Sequence, residues 1–494
     1  MSNQPYNILF ITSDHHRGDA LSCMDHPVAW TPHLDKLAQQ GILFSRAYSE
    51  CPVCIPARMS IMTGRRPGTG SDTIGCNYYK ECSPIVPELT LPGVLGEAGY
   101  QTQAVGKMHF YPQRHRYGFD NMIIEEEGRM LPGLSKDDYE FWLQEQGFTG
   151  LYHAHGVGNN EVITRQWHLP EHAHPTSWTA REACKWFERR DPESPFFLWT
   201  SFSAPHPPYT PPDAYAALFE DAEVGKPREG DWSRADTLPA EFVRTQLPGN
   251  YDLLTGRWYE KTVRAYHALV NQIDGQISLL LGTLREKNLL ERTIILYTSD
   301  HGDMLGDFGM FAKRVFYEGA AHIPFILVLP EGHPDYRYGE VNCQPVGLQD
   351  VLPTLLDAAG LEIPDGISGV SALEGLRNPE HARRLIHGNY TKGPDTVDAN
   401  HMITDGHIKY IWYNEGDIEQ VFDLDSDPQE LVNLARNPEC RALTAQWRRK
   451  LVAVLEEEGS PDVRDGELVC APYPEIDRKR LRAENIYNPR GMHL

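Results

Sequence analysis

The amino-terminal segment "MSNQPYNILFITSDHH" has no basic region and no long apolar run, because its short apolar stretch is broken off at Asp14. Neither a secretory leader nor a membrane span is expected there, and the chain is expected to be cytoplasmic. Positive charge is scarce as well: 46 lysines and arginines stand against 69 aspartates and glutamates, a formal net charge of -23. Nucleic acid and anionic membrane both require a basic face, so neither is an expected partner. An anionic substrate would have to be held by a local basic pocket. Cysteine is limited to nine residues, an odd number that suits reduced thiols better than a disulfide framework. Internal repeats and low-complexity segments are missing.

What is present is an ordinary globular composition, 40% hydrophobic and 23% charged, in 494 residues. That length predicts a dominant domain and a smaller one. Several apolar runs end abruptly in polar residues. "YNILFITS" leads into Asp14 and His15, "TQAVG" into Lys107 and His109, "PFFLWTSFSAP" into His206, and "TIILYTS" into Asp300 and His301. Unbroken apolar runs suit parallel strands covered on both faces. Helix signals lie between them. "TPHLDKLAQQG" offers Thr31 as N-cap, Pro32 at the first helical position and Gly41 as the stop, and "TLPGVLGEAG" repeats the arrangement. The alternation predicts an α/β fold with a large, mainly parallel sheet sandwiched by helices. Ligands bind such sheets beyond the carboxyl ends of the strands, where all four polar clusters fall.

Residues 1–385 are expected to form this catalytic unit. Near residue 385 the pattern shifts to short strands joined by "DG" and "NEGD" turns and followed by a helix, which predicts a smaller antiparallel sheet with a helix over 386–455. Residues 456–494 read as a charged, proline-containing tail lying on the body or on a second subunit, a route to a homo-oligomer.

The stretch "CPVCIPARMSIMTGRRP" (51–67) contains a CxxC, Cys51 and Cys54. A redox pair, half of a zinc site and two buried thiols are the ordinary readings. Zinc would need a second ligand pair at suitable spacing, and Cys76 and Cys82 are separated by five residues. Cys54 precedes "PARMSIMTG", read as a helix from about Pro56 to Gly64, with Arg58 one turn in. Free amides, the helix dipole and a guanidinium all favour an anion there, either a reactive thiolate or a bound oxyanion.

"CIPAR" (54–58) resembles the CxPxR signature of the type I sulfatases, in the alkaline phosphatase superfamily, whose cysteine is converted to formylglycine. Cys51 cannot begin that signature, since Val53 stands where proline is needed. Ala57 departs from the serine found in many members. "ILFITSDHHRGD" resembles the family's first metal segment and "VGKMH" its GKxH element. "APHPPYTPP" is similar to its HxPxxxP segment, and "YTSDHGDMLGDFGMFAKRVFYEGAAHIPFI" to its second metal segment with a downstream lysine. "VFDLDSDPQELVNLA" resembles its C-terminal strand and helix. The elements keep the family's order from residue 8 to about 436.

The resemblance implies an alkaline phosphatase-like fold and a sulfatase, arylsulfatase-like in activity, that releases an alcohol and inorganic sulfate. It implies one divalent metal held by Asp14, His15, Cys54, Asp300 and His301. Calcium is the expected ion and manganese the alternative, because His15 replaces a residue that is often acidic or Gln in the family. Hydrated formylglycine at position 54 would attack sulfur. Lys107 and Lys313 would hold the sulfate oxygens. His206 would protonate the leaving oxygen, His109 would take the proton that expels sulfate, and Arg58 would tie the residue-54 turn together. Asn77 would reach the substrate oxygens. A formylglycine-generating enzyme is the implied maturation partner, and a small sulfated aryl, alkyl or sugar ester the expected substrate. Phosphonate monoester or phosphodiester hydrolysis is the competing chemistry, since members of the superfamily use the same groups for phosphoryl transfer. Residues 111–176, rich in His, Trp and Asn, read either as a substrate-binding excursion or as a solvated loop.

Overall fold

A computed structural model describes residues 5–68, 86–129, 136–152, 155–233, 238–246, 255–391 and 398–484. The large sheet is built from β1 (Asn7–Asp14), β2 (Ile42–Phe44), β4 (Gln101–Gly106), β5 (Asn121–Ile124), β6 (Phe196–Pro205), β7 (Thr293–Ser299), β8 (Phe325–Val328) and β9 (Glu340–Asn342), while β3 (Ala47–Tyr48) pairs separately with β10 (Val346–Gly347). Its order is β5-β4-β6-β1-β7-β8-β2-β9. The central strands are parallel, as the apolar runs predict, whereas β8 runs antiparallel to both β7 and β2.

β1 shows why the runs are unbroken. Ile8 and Phe10 enter one core, shared with the helices Cys54–Thr63 and Val351–Ala358. Leu9 and Ile11 enter the other, under the helices Pro175–Arg189 and Arg257–Glu286. With helices on both faces, no position of β1 is left for a solvated side chain.

Helix ends partly follow the sequence signals. Thr90 caps its helix by accepting the Gly93 amide, but Pro92 occupies the second helical position and the helix ends at Ala98. Thr31 makes no side-chain cap; its hydroxyl donates to Asp35 instead. The catalytic-motif helix starts two residues earlier than read, at Cys54, and stops as expected at Gly64, whose φ of 65° closes the αL cap.

The smaller sheet contains β11 (Ile386–Tyr390), β12 (Asn400–Thr404), β13 (Ile408–Tyr413) and β14 (Ile418–Asp423), all antiparallel in that order. No α-helix follows β14 directly. "LVNLA" holds only a short 3-10 turn, and the helix begins at Arg441 and runs to Glu457. Trp447, Leu451 and Leu455 pack on Ile403, Tyr410 and Trp412. The opposite face, with Met402, Ile411 and Phe422, packs on Tyr48, Phe316 and Tyr317 of the large unit. The described part of the tail lies on the body: Ala471 exchanges backbone hydrogen bonds with Asn414 and Gly416, and Tyr473 Oη donates to the Leu238 carbonyl at 2.8 Å.

Candidate active site

Four strand ends deliver the polar clusters to one place. β1 ends in Asp14, and β7 is followed by Asp300 and His301; all three are fully buried. β4 ends in Gly106, whose φ of 97° and close approach to the Ser201 carbonyl exclude a side chain; the turn sends Lys107 inward. β6 is followed by His206. Cys54 joins them from the first position of its helix.

Cys54 Sγ lies 2.9 Å from Lys313 Nζ, 3.3 Å from His301 Nε2 and 3.8 Å from Asp14 Oδ1. Burial and Asp14 push its pKa up, but Lys313, Lys107 and His301 together outweigh them, and the thiol's pKa is lowered. Cys51, also buried, lacks those cations, and burial next to Glu50 raises its pKa strongly. The site therefore favours negative charge on the residue-54 side chain and on no other part of the CxxC.

Arg58 is the brace beneath this centre. It donates to Asp300 Oδ2 at 2.8 Å, to the Lys107 carbonyl at 2.6 Å and to Ser201 Oγ at 2.8 Å, and it lies 3.5 Å from Asp14 Oδ2. Lys107 Nζ contacts Asp14 and lies 2.5 Å from Glu127 Oε2. Burial works against both cations, but the adjoining carboxylates dominate and raise both pKa values.

The histidines are fixed by what they face. His301 Nδ1 meets the Gly302 carbonyl at 2.9 Å, which only accepts, so the proton sits there and Nε2 faces the carboxylates. Burial opposes charge on this ring, but Asp300 and the Cys54 sulfur prevail and its pKa rises. His15 donates through Nδ1 to Asp303 Oδ2 at 2.7 Å and accepts from Lys313 at Nε2, 2.8 Å. Burial, Lys313 and His301 push the His15 pKa down to about 3, so the ring is neutral. His206 donates through Nδ1 to the Pro207 carbonyl at 2.6 Å, and Arg129 donates to its Nε2 at 3.2 Å. Burial and then Lys107 hold its pKa well below the ordinary value. His109 is buried behind Lys107, its backbone amide bonded to Glu126 Oε1 at 2.9 Å and its Nδ1 without a hydrogen-bond partner among the described residues.

Asp14, Cys54, Asp300 and His301 place one donor atom each within 4.8 Å of one another, all buried. Two anionic oxygens and an imidazole drawn toward positive charge at Nε2 form a donor set that fits a divalent cation. His15 falls outside that quartet and groups with Asp14 and His206 instead. Asn77 lies outside the described residues. Three participants were not singled out in the sequence. Asp303 orients His15, while Glu127 and Arg129 link Lys107 to His206. The spacing of Asp300 and Asp303 in "SDHGD" was the available signal for the first; Glu127 and Arg129 carry none.

A buried thiol set against lysines and a pair of carboxylates is an arrangement that fits a hydrolase of anionic esters. The family profile described as Sulfatase matches residues 6–361, and that described as N-sulphoglucosamine sulphohydrolase, C-terminal, matches residues 306–457. An arylsulfatase of Clostridium perfringens is 34% identical over 495 residues, covering 96% of this chain and 99% of its own. Two solved structures share the fold. A protein in complex with its substrate D-glucosamine-2-N,6-O-disulfate has a TM-score of 0.71 at 23% identity, covering 94% of this chain and 100% of its own. The phosphonate monoester hydrolase of Agrobacterium radiobacter has a TM-score of 0.71 at 22% identity, covering 92% and 96%. The chain belongs to the sulfatase family of the alkaline phosphatase superfamily, and its reaction is sulfate ester hydrolysis.

Proposed function

We propose that the chain hydrolyses a small monosulfated ester with formylglycine at position 54 as nucleophile and one divalent cation, calcium in the first instance, held by Asp14, Asp300, His301 and residue 54. The observation that supports this most is the placement of Cys54 Sγ, which stands in for the nucleophilic oxygen, against Lys313, His301 and Asp14. Bound together, the modified residue supplies the attacking oxygen and the cation favours its ionised form.

The remaining work falls to this chain's side chains. Lys107 and Lys313 flank residue 54 and meet the sulfate oxygens, and Arg58 keeps the two aspartates from repelling each other. His206 is neutral before substrate arrives. To protonate the leaving oxygen it must gain a proton at Nε2, now turned to Arg129, and Glu127 Oε1 at 3.2 Å from Nδ1 supports the resulting imidazolium. His109, with an uncommitted Nδ1, accepts the proton in the step that releases sulfate.

The net charge of -23 supports a small substrate over a polyanion, since a polymer must bring many charges near an acidic surface. A cytoplasmic location belongs to the same proposal and is supported by the described cysteines, none of which forms a disulfide. So does a homo-oligomer through the tail. Peptide mass spectrometry of protein matured with a formylglycine-generating enzyme tests the nucleophile. Residue 54 should be about 18 Da lighter than cysteine. Full activity with an unmodified Cys54 would refute it.

A further inference from the structure

The face of the small sheet that the helix Arg441–Glu457 covers also holds two buried histidines, His387 on β11 and His401 on β12, the latter stacked on Trp412. His387 Nδ1 meets Glu458 Oε1 at 2.9 Å, and His401 Nε2 meets Asp462 Oδ2 at 3.0 Å. The two remaining nitrogens, His387 Nε2 and His401 Nδ1, are 3.0 Å apart. The ring centres lie 5.3 Å apart in planes 10° from parallel, so the rings meet edge to edge, nearly in line. Arg66 Nη1 donates to Glu458 Oε1 at 2.7 Å. Arg66 follows Gly64, the stop of the helix that begins at residue 54, and one loop ties both. The Ser368 and Gly369 amides donate to the Gly64 carbonyl, and the Arg66 amide donates to Ser368 Oγ at 2.7 Å.

Among the described residues, Glu458 from the helix end, Asp462 from the turn beyond it and Arg66 are the charged groups that face the pair. Burial opposes charge on the two carboxyls, but His387 and Arg66 hold Glu458, and His401 holds Asp462, below the ordinary carboxylate range. An ionised carboxylate only accepts, so each ring carries a proton on its outer nitrogen. With no further proton, the two inner lone pairs would face each other across 3.0 Å. One proton placed between them makes a charge-assisted hydrogen bond instead, and it sets two cations against two carboxylates. Burial lowers the His401 pKa against the pull of Asp462, and His387 adds to the fall, so a second extra proton is not taken up. A metal ion does not fit, because two in-line bonds of about 2.0–2.1 Å need about 4 Å between the nitrogens.

We propose that a single proton held between His387 and His401 forms a pH-sensitive clasp, which fastens the small sheet and its helix to the segment leaving the residue-54 helix. The clasp is closed at acid pH. As pH rises past the imidazole range the proton is lost, the lone pairs oppose each other, and a negative charge without a counter-charge stays buried. The stability it supplies is therefore full at acid pH and falls as pH rises. His387→Gln is the reference variant, since a glutamine amide donates to His401 Nδ1 without any extra proton. Relative to that variant, the wild-type thermal midpoint should fall by about 2 °C between about pH 5.5 and about pH 8.5. Backbone hydrogen exchange over residues 458–464 should quicken in wild type across the same range, beyond its intrinsic pH dependence, and not in the variant. Full-length wild-type protein carrying nitrogen-15 histidine decides the matter even where the variant fails to fold. A nitrogen–nitrogen coupling across the bond between the two rings should be present at about pH 6 and gone at about pH 8.5. A wild-type midpoint that holds level or rises against His387→Gln, or no coupling at about pH 6, would overturn the clasp.

Discussion

Lys409 gives the clearest prediction outside the metal-binding residues. It lies on β13, fully buried, with Nζ 2.6 Å from Glu318 Oε1, 2.9 Å from Glu430 Oε1 and 2.9 Å from the Phe316 carbonyl. The small sheet thereby clamps the segment that carries Lys313. Lys409→Met keeps the bulk and removes the charge, leaving two buried carboxylates with far too little compensation. Breaking a buried pair in this way costs about 3–5 kcal/mol. Unfolding entropy of ~2.1 cal/mol/K per residue over 494 residues makes each kcal/mol worth about 1 °C, so the thermal midpoint should fall by about 3–5 °C. The loss should depend on pH. Burial raises the Glu430 pKa to about 7, even with Lys409 pulling it down. A carboxyl raised above its unfolded value contributes stability below that value and loses it as pH rises through the folded pKa. Without Lys409 the Glu430 pKa rises further and that of Glu318, which Lys409 now holds below the usual carboxylate range against burial, rises too, so the deficit should be larger at about pH 8.5 than at about pH 5.5. Adding Glu430→Gln should recover part of it. Thermal scans of the three variants at both pH values, with kcat measured well below the midpoint, provide the assay. A midpoint within 1 °C of wild type, or a deficit no greater at the higher pH, would refute the reasoning.

Asp303→Asn removes the carboxylate that fixes His15, whose Nε2 accepts from Lys313, and a loss of up to about 100-fold in turnover is expected through misplacement of that lysine, measured by kcat. Burial raises the Glu126 pKa to about 7, so its stabilisation is present at low pH and lost as pH rises through that value; Glu126→Gln should recover up to about 3 kcal/mol at alkaline pH and little at acid pH, read from denaturation midpoints. Cys54→Ala should abolish turnover with the fold intact, whereas Cys51→Ala, at a buried thiol packed beside the small sheet, should retain most of it; equal losses from both would contradict the assignment.

The strand-end residues were legible because burial on both faces of a parallel sheet leaves long apolar runs, and the first polar residue after each run marks the functional edge. Asp14, Lys107, His206 and Asp300 are of this kind. The antiparallel β8 was not legible: "PFILVL" is equally apolar in either direction, and only its pairing with β7 and β2 sets the sense. The C-terminal helix was expected too early, because "QELVNLA" has helical residue types but follows Asp427 and Pro428 in a turn. Glu127 and Arg129 escaped for a different reason. They sit just past a four-residue strand and act only through partners distant in sequence, Lys107 and His206, which no local spacing encodes.

Whether this chain's basic clamp and residue 54 act on sulfate esters is open to direct measurement. One preparation of mature enzyme should be offered an aryl sulfate, the matching aryl phosphonate monoester and the matching phosphodiester, with Cys54→Ala as the blank. The highest kcat/KM is expected on the sulfate and none of it in the blank; a phosphonate monoester or phosphodiester turned over faster than the sulfate would contradict the assignment.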